Sequence, residues 1–182
     1  MSQLADPQKV KFFLAAFGRD PALLTEAVSL LGSRFEGGLL GRPDIVSQDR
    51  FFSETAYYEP EMGSGLLKRY LSWPNLAPPD FLVPLKHLAL ELEASFSEDG
   101  RRRVNLDPGY VFAGGLVLST GKFSGHRLYL GQKVWGELTV HYHRGQFQFL
   151  PWTYRDYRSP EVIGLLTRMR RDYLAGLNSS ED

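Results

Sequence analysis

The stretch from Arg127 to Leu150 limits what this chain can fold into more than any other. Arg127 to Leu130, Lys133 to Tyr142 and Gln146 to Leu150 alternate in polarity, and Gly131 and Gly145 separate them. Successive side chains on a strand point to opposite faces, so the alternation reads as strands with one buried face. Such short gaps allow only hairpins, and the three strands form an antiparallel meander.

The rest of the chain interleaves strands with helices. Lys9 to Phe17 is almost wholly apolar, closes on Gly18 and reads as a buried first strand. Asp20-Pro21 then opens a helix, the aspartate capping free amides and the proline taking the first helical position. Its inward stripe is Leu23, Leu24, Ala27, Leu30 and Leu31, and Gly37-Gly38 ends it. Ile45 to Phe52 is a candidate strand, Tyr57 to Gly65 a loop, and Leu66 to Trp73 another strand. Asp80 is the candidate cap of a second helix with Leu85, Leu88, Ala89, Leu92 and Phe96 on one face, and Pro84 must then fall in its first turn. Arg102 to Leu106 is a short strand and Asp107-Pro108-Gly109 a turn, while Tyr110 to Leu118 fits helix or strand. Ser159-Pro160 opens the last helix, with Val162, Leu165, Leu166, Met169 and Tyr173 inward, and residues 178 to 182 should fray. The result is an α+β protein: one domain over residues 1–182, a mixed, largely antiparallel sheet, a C-terminal β-meander and about three packed helices.

Composition narrows the setting. With 21 basic and 21 acidic residues the chain lacks the broad positive field that non-specific nucleic-acid binding needs. It has no cysteine, which excludes disulfides, thiolate metal sites and cysteine nucleophiles. No secretory leader core and no membrane-length apolar run is present, so a cytoplasmic protein without membrane contact is expected.

Against this balanced background, donors crowd between Arg101 and Arg127. Arg103, Asn105 and Asp107 would share one strand face, with Tyr110 close behind. Lys122 follows Gly121 in a Ser-Thr-Gly-Lys-Phe-Ser-Gly loop whose glycines could turn backbone amides toward an anion. Arg127 offers a planar fork for phosphate or carboxylate, and Arg101 and Arg102 are assigned to the surface. The competing reading pairs Asp107 with Arg103 or Arg127 and leaves Lys122 solvated.

Other patterns carry less. Five residues separate Gly115 from Gly121, and Phe123 stands where a hydroxyl belongs, so this is not a P-loop. Glu137, His141 and His143 occupy alternate positions and could form a metal face, or a solvent-facing row. Glu59 and Glu61 are a possible acid/base or magnesium pair, or simply solvated. Trp152, Tyr154 and Asp156 lie in an aromatic loop that could stack beside a ligand or cap the core.

The blocks Tyr57-Tyr-Glu-Pro-Glu-Met-Gly63, Arg103-Val-Asn-Leu-Asp-Pro-Gly-Tyr110, His126-Arg-Leu-Tyr-Leu-Gly131 and Pro151-Trp-Thr-Tyr-Arg-Asp-Tyr157 resemble, in order, the hallmark blocks of a bacterial family catalogued as domain of unknown function 4416. The resemblance implies no activity. It implies that Arg103, Asn105, Asp107, Tyr110, His126, Arg127, Trp152, Tyr154 and Asp156 belong to one site. It also implies that Glu137 follows the family pattern while His141 and His143 depart from it.

The functional expectation is a pocket for a small anionic ligand, a nucleotide or phosphate ester. Arg103, Lys122 and Arg127 would neutralise it, Asn105 and Tyr110 orient it, and Trp152 or Tyr154 stack on it. In an enzyme acting at phosphorus, Asp107 and His126 would be the acid/base pair. The alternatives are a non-catalytic interaction module and a metal-dependent hydrolase. The sequence names no cofactor and no oligomeric state.

Overall fold

Every residue of the first strand, β1 (Val10–Gly18), is buried, which explains its lack of alternation: helices cover it on both sides. The computed structural model describes residues 3–53 and 57–178. Residues 179–182, most of the segment expected to fray, lie outside them. One nine-stranded sheet runs through the described chain, in the order β2 (Ile45–Val46), β4 (Leu67–Ala77), β1, β5 (Val104–Phe112), β6 (Gly115–Thr120), β8 (Val134–His143), β7 (Leu128–Gly131). β3 (Arg50–Phe51) also pairs with β4, and β9 (Gln146–Phe149) with β8. Every strand pair is antiparallel.

Helices α1 (Pro21–Arg34) and α3 (Leu82–Ser95) pack on one face, over Phe12, Leu14, Ala16, Leu71, Trp73, Val104 and Leu106. The amphipathic helix α4 (Pro160–Asn178) covers the other, with Val162, Leu166 and Met169 against Phe13, Ala15, Tyr70 and Val111. Each Val, Leu, Phe or Met side chain among them contributes about 1.5–3 kcal/mol on leaving water. The one-turn helix α2 (Glu59–Met62) and Leu66 close a smaller cluster around Phe17.

Asp20 caps α1 as the sequence indicates, its carboxylate accepting from the amides of Ala22 and Leu23. α1 ends at Arg34, and a 3₁₀ turn (Phe35–Gly37) leads to Gly38 at φ 94°. Several local expectations are corrected. Ile45 to Phe52 is two short strands, not one. Asp80 does not cap α3: it lies in a 3₁₀ turn (Pro79–Phe81), and the residue before the helix, Phe81, makes no side-chain cap. β4 continues past Trp73 because Pro74 falls inside a register irregularity against β1, where no ladder donor is required.

Asp107-Pro108-Gly109 is not a turn but the middle of β5. Pro108 is tolerated because its carbonyl accepts from the Ser119 hydroxyl and the β5–β6 ladder begins only at Gly109. The missing amide therefore falls outside the ladder. Tyr110 to Leu118 resolves as the hairpin between β5 and β6.

Candidate functional site

The site follows from one topological fact: β5 and β6 part company below Gly109. Residues 104 to 108 of β5 pair with β1 on one side only, while Thr120 at the far end of β6 pairs with β8. A Cβ on Gly109 would lie 2.3 Å from the Val117 carbonyl oxygen, so only glycine lets the strands close at that point. α3 fills the open edge from its side of the sheet. The Lys86 ammonium donates to the Leu106 carbonyl at 3.1 Å, and the Glu93 carboxylate accepts from the Leu106 amide at 2.7 Å.

The fork opens into a cleft of about 750 Å³. Its walls are Phe17, Phe52, Tyr58 and Leu118, its rim Tyr57, Lys122, Arg127 and Tyr154, and its floor Lys68, Asp156 and Tyr157. The pairing of Asn105 with Phe17, and of Asp107 with Ala15, places both polar side chains on the cleft face of β5. The Asn105 amide donates to Asp107 at 2.9 Å.

The charges of the cleft are largely paired. Lys68 meets Asp156 at 2.6 Å, and the Tyr70 hydroxyl donates to the same carboxylate oxygen. Arg102 grips Glu61 through two bonds of 2.7 and 2.6 Å and lies 3.7 Å from Glu93. Lys86 stands 3.4 Å from Asp107, a long and weak bond. Arg127 donates to Glu137 at 2.8 Å, and the His126 ring bonds the same oxygen of that carboxylate at 2.8 Å. Among the described residues, Lys122 is the lining cation with no carboxylate partner: its ammonium donates to the Tyr57 hydroxyl at 2.9 Å and sits over that ring.

These partners shift the titrations. The bidentate Arg102 bond holds Glu61 below the usual carboxylate range. Burial pushes Glu93 upward, with Lys86 opposing. The hydrogen bond from Lys122 lowers the Tyr57 phenol. Burial raises Tyr58, Tyr154 and Tyr157, which keeps all three as neutral hydroxyls near neutral pH.

Of the residues singled out in the sequence, Asn105, Asp107, Lys122, Arg127, Tyr154 and Asp156 come together in the cleft. Arg103 does not: it precedes β5, is half-exposed and pairs with Glu98. Arg102, assigned to the surface, takes the inward place instead. Tyr110 projects to the opposite face, against Phe112 and the α1–α3 core. His126 lies behind Glu137, stacked on Trp152 at 4.5 Å, and has no bond to Asp107 among the described residues. Trp152 donates to the Leu138 carbonyl and supports His126 without lining the cleft. The expected amide cradle is not formed: neither Gly121 nor Gly125 has a positive φ, and the Lys122 amide donates to Thr120.

The possible metal face is also undone. A β-bulge opposite Leu116 and Val117 inserts Thr139 into β8, so Glu137 and Val140 share a face. The extra residue reverses the alternation, leaving Glu137 on the cleft side and His141 and His143 on the other. No group of three candidate metal ligands occurs among the described residues.

Lys68, Lys86, Glu93, Arg102 and Tyr157 were not anticipated. Lys86 and Glu93 did leave a signal: they sit two helical turns apart beside Leu85 and Leu92, two charges on an apolar stripe.

A family model described as Domain of unknown function (DUF4416) matches residues 8–173, and the chain belongs to that family. No curated protein and no solved structure matches it. No helix among the described residues is long and apolar enough to cross a membrane.

Proposed function

We propose that this protein binds a small organic anion, a phosphate ester or nucleotide, in the cleft at the sheet fork. The reading rests on the rim. Deep in the cleft each cation already faces a carboxylate, whereas among the described residues Lys122 faces a phenol and no carboxylate. Beside it, Arg127 donates to the Lys122 carbonyl and, at a long 3.3 Å, to the Tyr154 hydroxyl. An ammonium, a guanidinium and two tyrosine hydroxyls thus converge where an anion would meet them on entering. The paired charges below are fixed dipoles, ready to orient a polar body without reorganising. Asn105 and Asp107 supply the nearest such groups. A hydrolase or transferase version would rest on Asp107. His126 would act only as a positioning residue, through Glu137.

A thermal-shift screen with nucleotides, sugar phosphates and polyphosphate tests this. An anion at a hundred times its Kd adds about 2.7 kcal/mol, a rise of roughly 5–10 °C for a chain of this size. Lys122→Ala, at an exposed position, should leave the unliganded melting temperature alone and abolish the response. If no anion raises the melting temperature, or if Lys122→Ala responds as the native protein does, the proposal fails.

One observation favours a second reading, a protein-interaction module. The outer strand β7 exposes Leu128, Tyr129 and Leu130, and Phe123 is exposed just before it. Such a contiguous apolar edge is uncommon on a monomer. Light scattering across a concentration series would separate the two readings, since the binding pocket alone requires no change in mass.

A further inference from the structure

The cleft is too large for its rim alone. A phosphate occupies a small part of about 750 Å³, so whatever binds at Lys122 carries a body that reaches inward. The floor says what that body ends in. Tyr157 lines the cleft, is 1% exposed, and its buried hydroxyl has no hydrogen-bond partner among the described residues. Leaving a buried hydroxyl unmatched is costly, and folded proteins rarely do so. The obvious local acceptor, Asp156, takes its bonds from Lys68 and Tyr70 on one oxygen and makes no bond to the Tyr157 hydroxyl among the described residues. Phe13, Tyr70 and Tyr154 are packed around the ring, so a ligand in the cleft reaches the hydroxyl by displacing one of these side chains.

Resting on the anion-binding reading above, we infer that Tyr157 donates to a neutral oxygen at the far end of the ligand, a carbonyl or hydroxyl on a flat unsaturated body. The far group is neutral because the carboxylates of Asp156 and Asp107 stand at this depth and Lys68 is already spent on Asp156. A second anion there would be repelled. The body is flat because the wall is aromatic. Phe17, Tyr58 and Phe52 form a triangle of rings with centroids 4.6, 5.2 and 6.1 Å apart. Faces and edges of this kind favour planar π systems. Burial keeps the Tyr157 hydroxyl protonated, as a donor must be.

The test uses a matched pair of probes, phenyl phosphate and 4-hydroxyphenyl phosphate, titrated calorimetrically into the full chain and into Tyr157→Phe. The native protein should bind the hydroxylated probe at least about fivefold more tightly, the value of one added hydrogen bond. In Tyr157→Phe the two should bind within about twofold of each other, at the affinity the native protein shows for phenyl phosphate. The unliganded variant should melt no lower than the native protein, because it loses no bond. Equal affinity of both probes for the native protein, or a preference that survives in Tyr157→Phe, overturns the inference and leaves the rim intact; a water on Tyr157 would give the first of these. A lower melting temperature for Tyr157→Phe would show a structural partner for the hydroxyl and overturn it too. If neither probe binds the native protein, the inference of a flat body is overturned, and the anion screen above decides separately whether the underlying reading stands.

Discussion

Two glutamates around the cleft respond to pH in opposite senses. The folded pKa of Glu93 is raised by burial, so its contribution to stability is complete below its unfolded value and is lost as pH rises through the folded one. Glu93→Gln keeps an oxygen to accept the Leu106 amide and sheds the buried charge. It should melt higher than the native protein at pH 7 to 8, with the gain shrinking toward pH 4. Glu61 is the reverse: its folded pKa is depressed by Arg102, so its contribution is present above the unfolded value of 4.5 and is lost as pH falls through the folded one. Glu61→Gln should therefore destabilise near neutral pH, by less than about 1 kcal/mol because the pair is partly exposed, and the difference should vanish in acid. Melting curves of both variants across pH 3 to 8 check the two signs together. At this scale the sequence was readable where a residue's role is local. Asp20 caps its helix because a cap needs only the next two amides. Arg102 and Arg103 were exchanged because β5 begins at Val104, and one residue of strand boundary decides which arginine turns inward.

At the scale of elements, periodicity was the reliable guide and interruptions of it were not. The three C-terminal strands fall where alternation and glycines put them, and the inward face of α4 matches its 3.6-residue stripe. The bulge at Thr139 has no local signature, yet it turns His141 and His143 away from Glu137. Pro74 and Pro108 read as breaks, but both occupy strand positions where tertiary pairing asks for no donor. The bond between α3 and the open edge of β5 is likewise tertiary. Replacing Lys86 by methionine would remove the cation that most offsets the burial of Glu93 and would leave the Leu106 carbonyl without its side-chain donor, at a cost of about 1–3 kcal/mol. Adding Glu93→Gln should recover part of that loss. Urea unfolding of the two single variants and the double variant measures the coupling, and strict additivity would contradict the proposed tie. Gly109→Ala, forced against the Val117 carbonyl, should cost at least about 1–3 kcal/mol.

For the whole molecule, the α+β class and the antiparallel bias were legible because hairpin spacing restricts topology. The location of the cleft was half legible. Asn105, Asp107, Lys122 and Arg127 were recognised as a cluster, since turns and strand ends gather polar residues. The pairing of the cleft charges, Arg102 with Glu61 of α2, Asp107 with Lys86 of α3, Arg127 with Glu137 of β8 and Lys68 with Asp156, was not, because it depends on which distant elements the sheet order brings together. The proposed anion site accordingly contracts from a broad basic hollow to the rim around Lys122 and Arg127. A crystal structure of the protein with phenyl phosphate bears on that rim most directly. The account predicts phosphate oxygens within hydrogen-bond reach of the Lys122 ammonium and the Arg127 guanidinium, with the ring directed toward Phe52 and Tyr58. Phosphate bound elsewhere, or a cleft filled only by water at saturating probe, would contradict it.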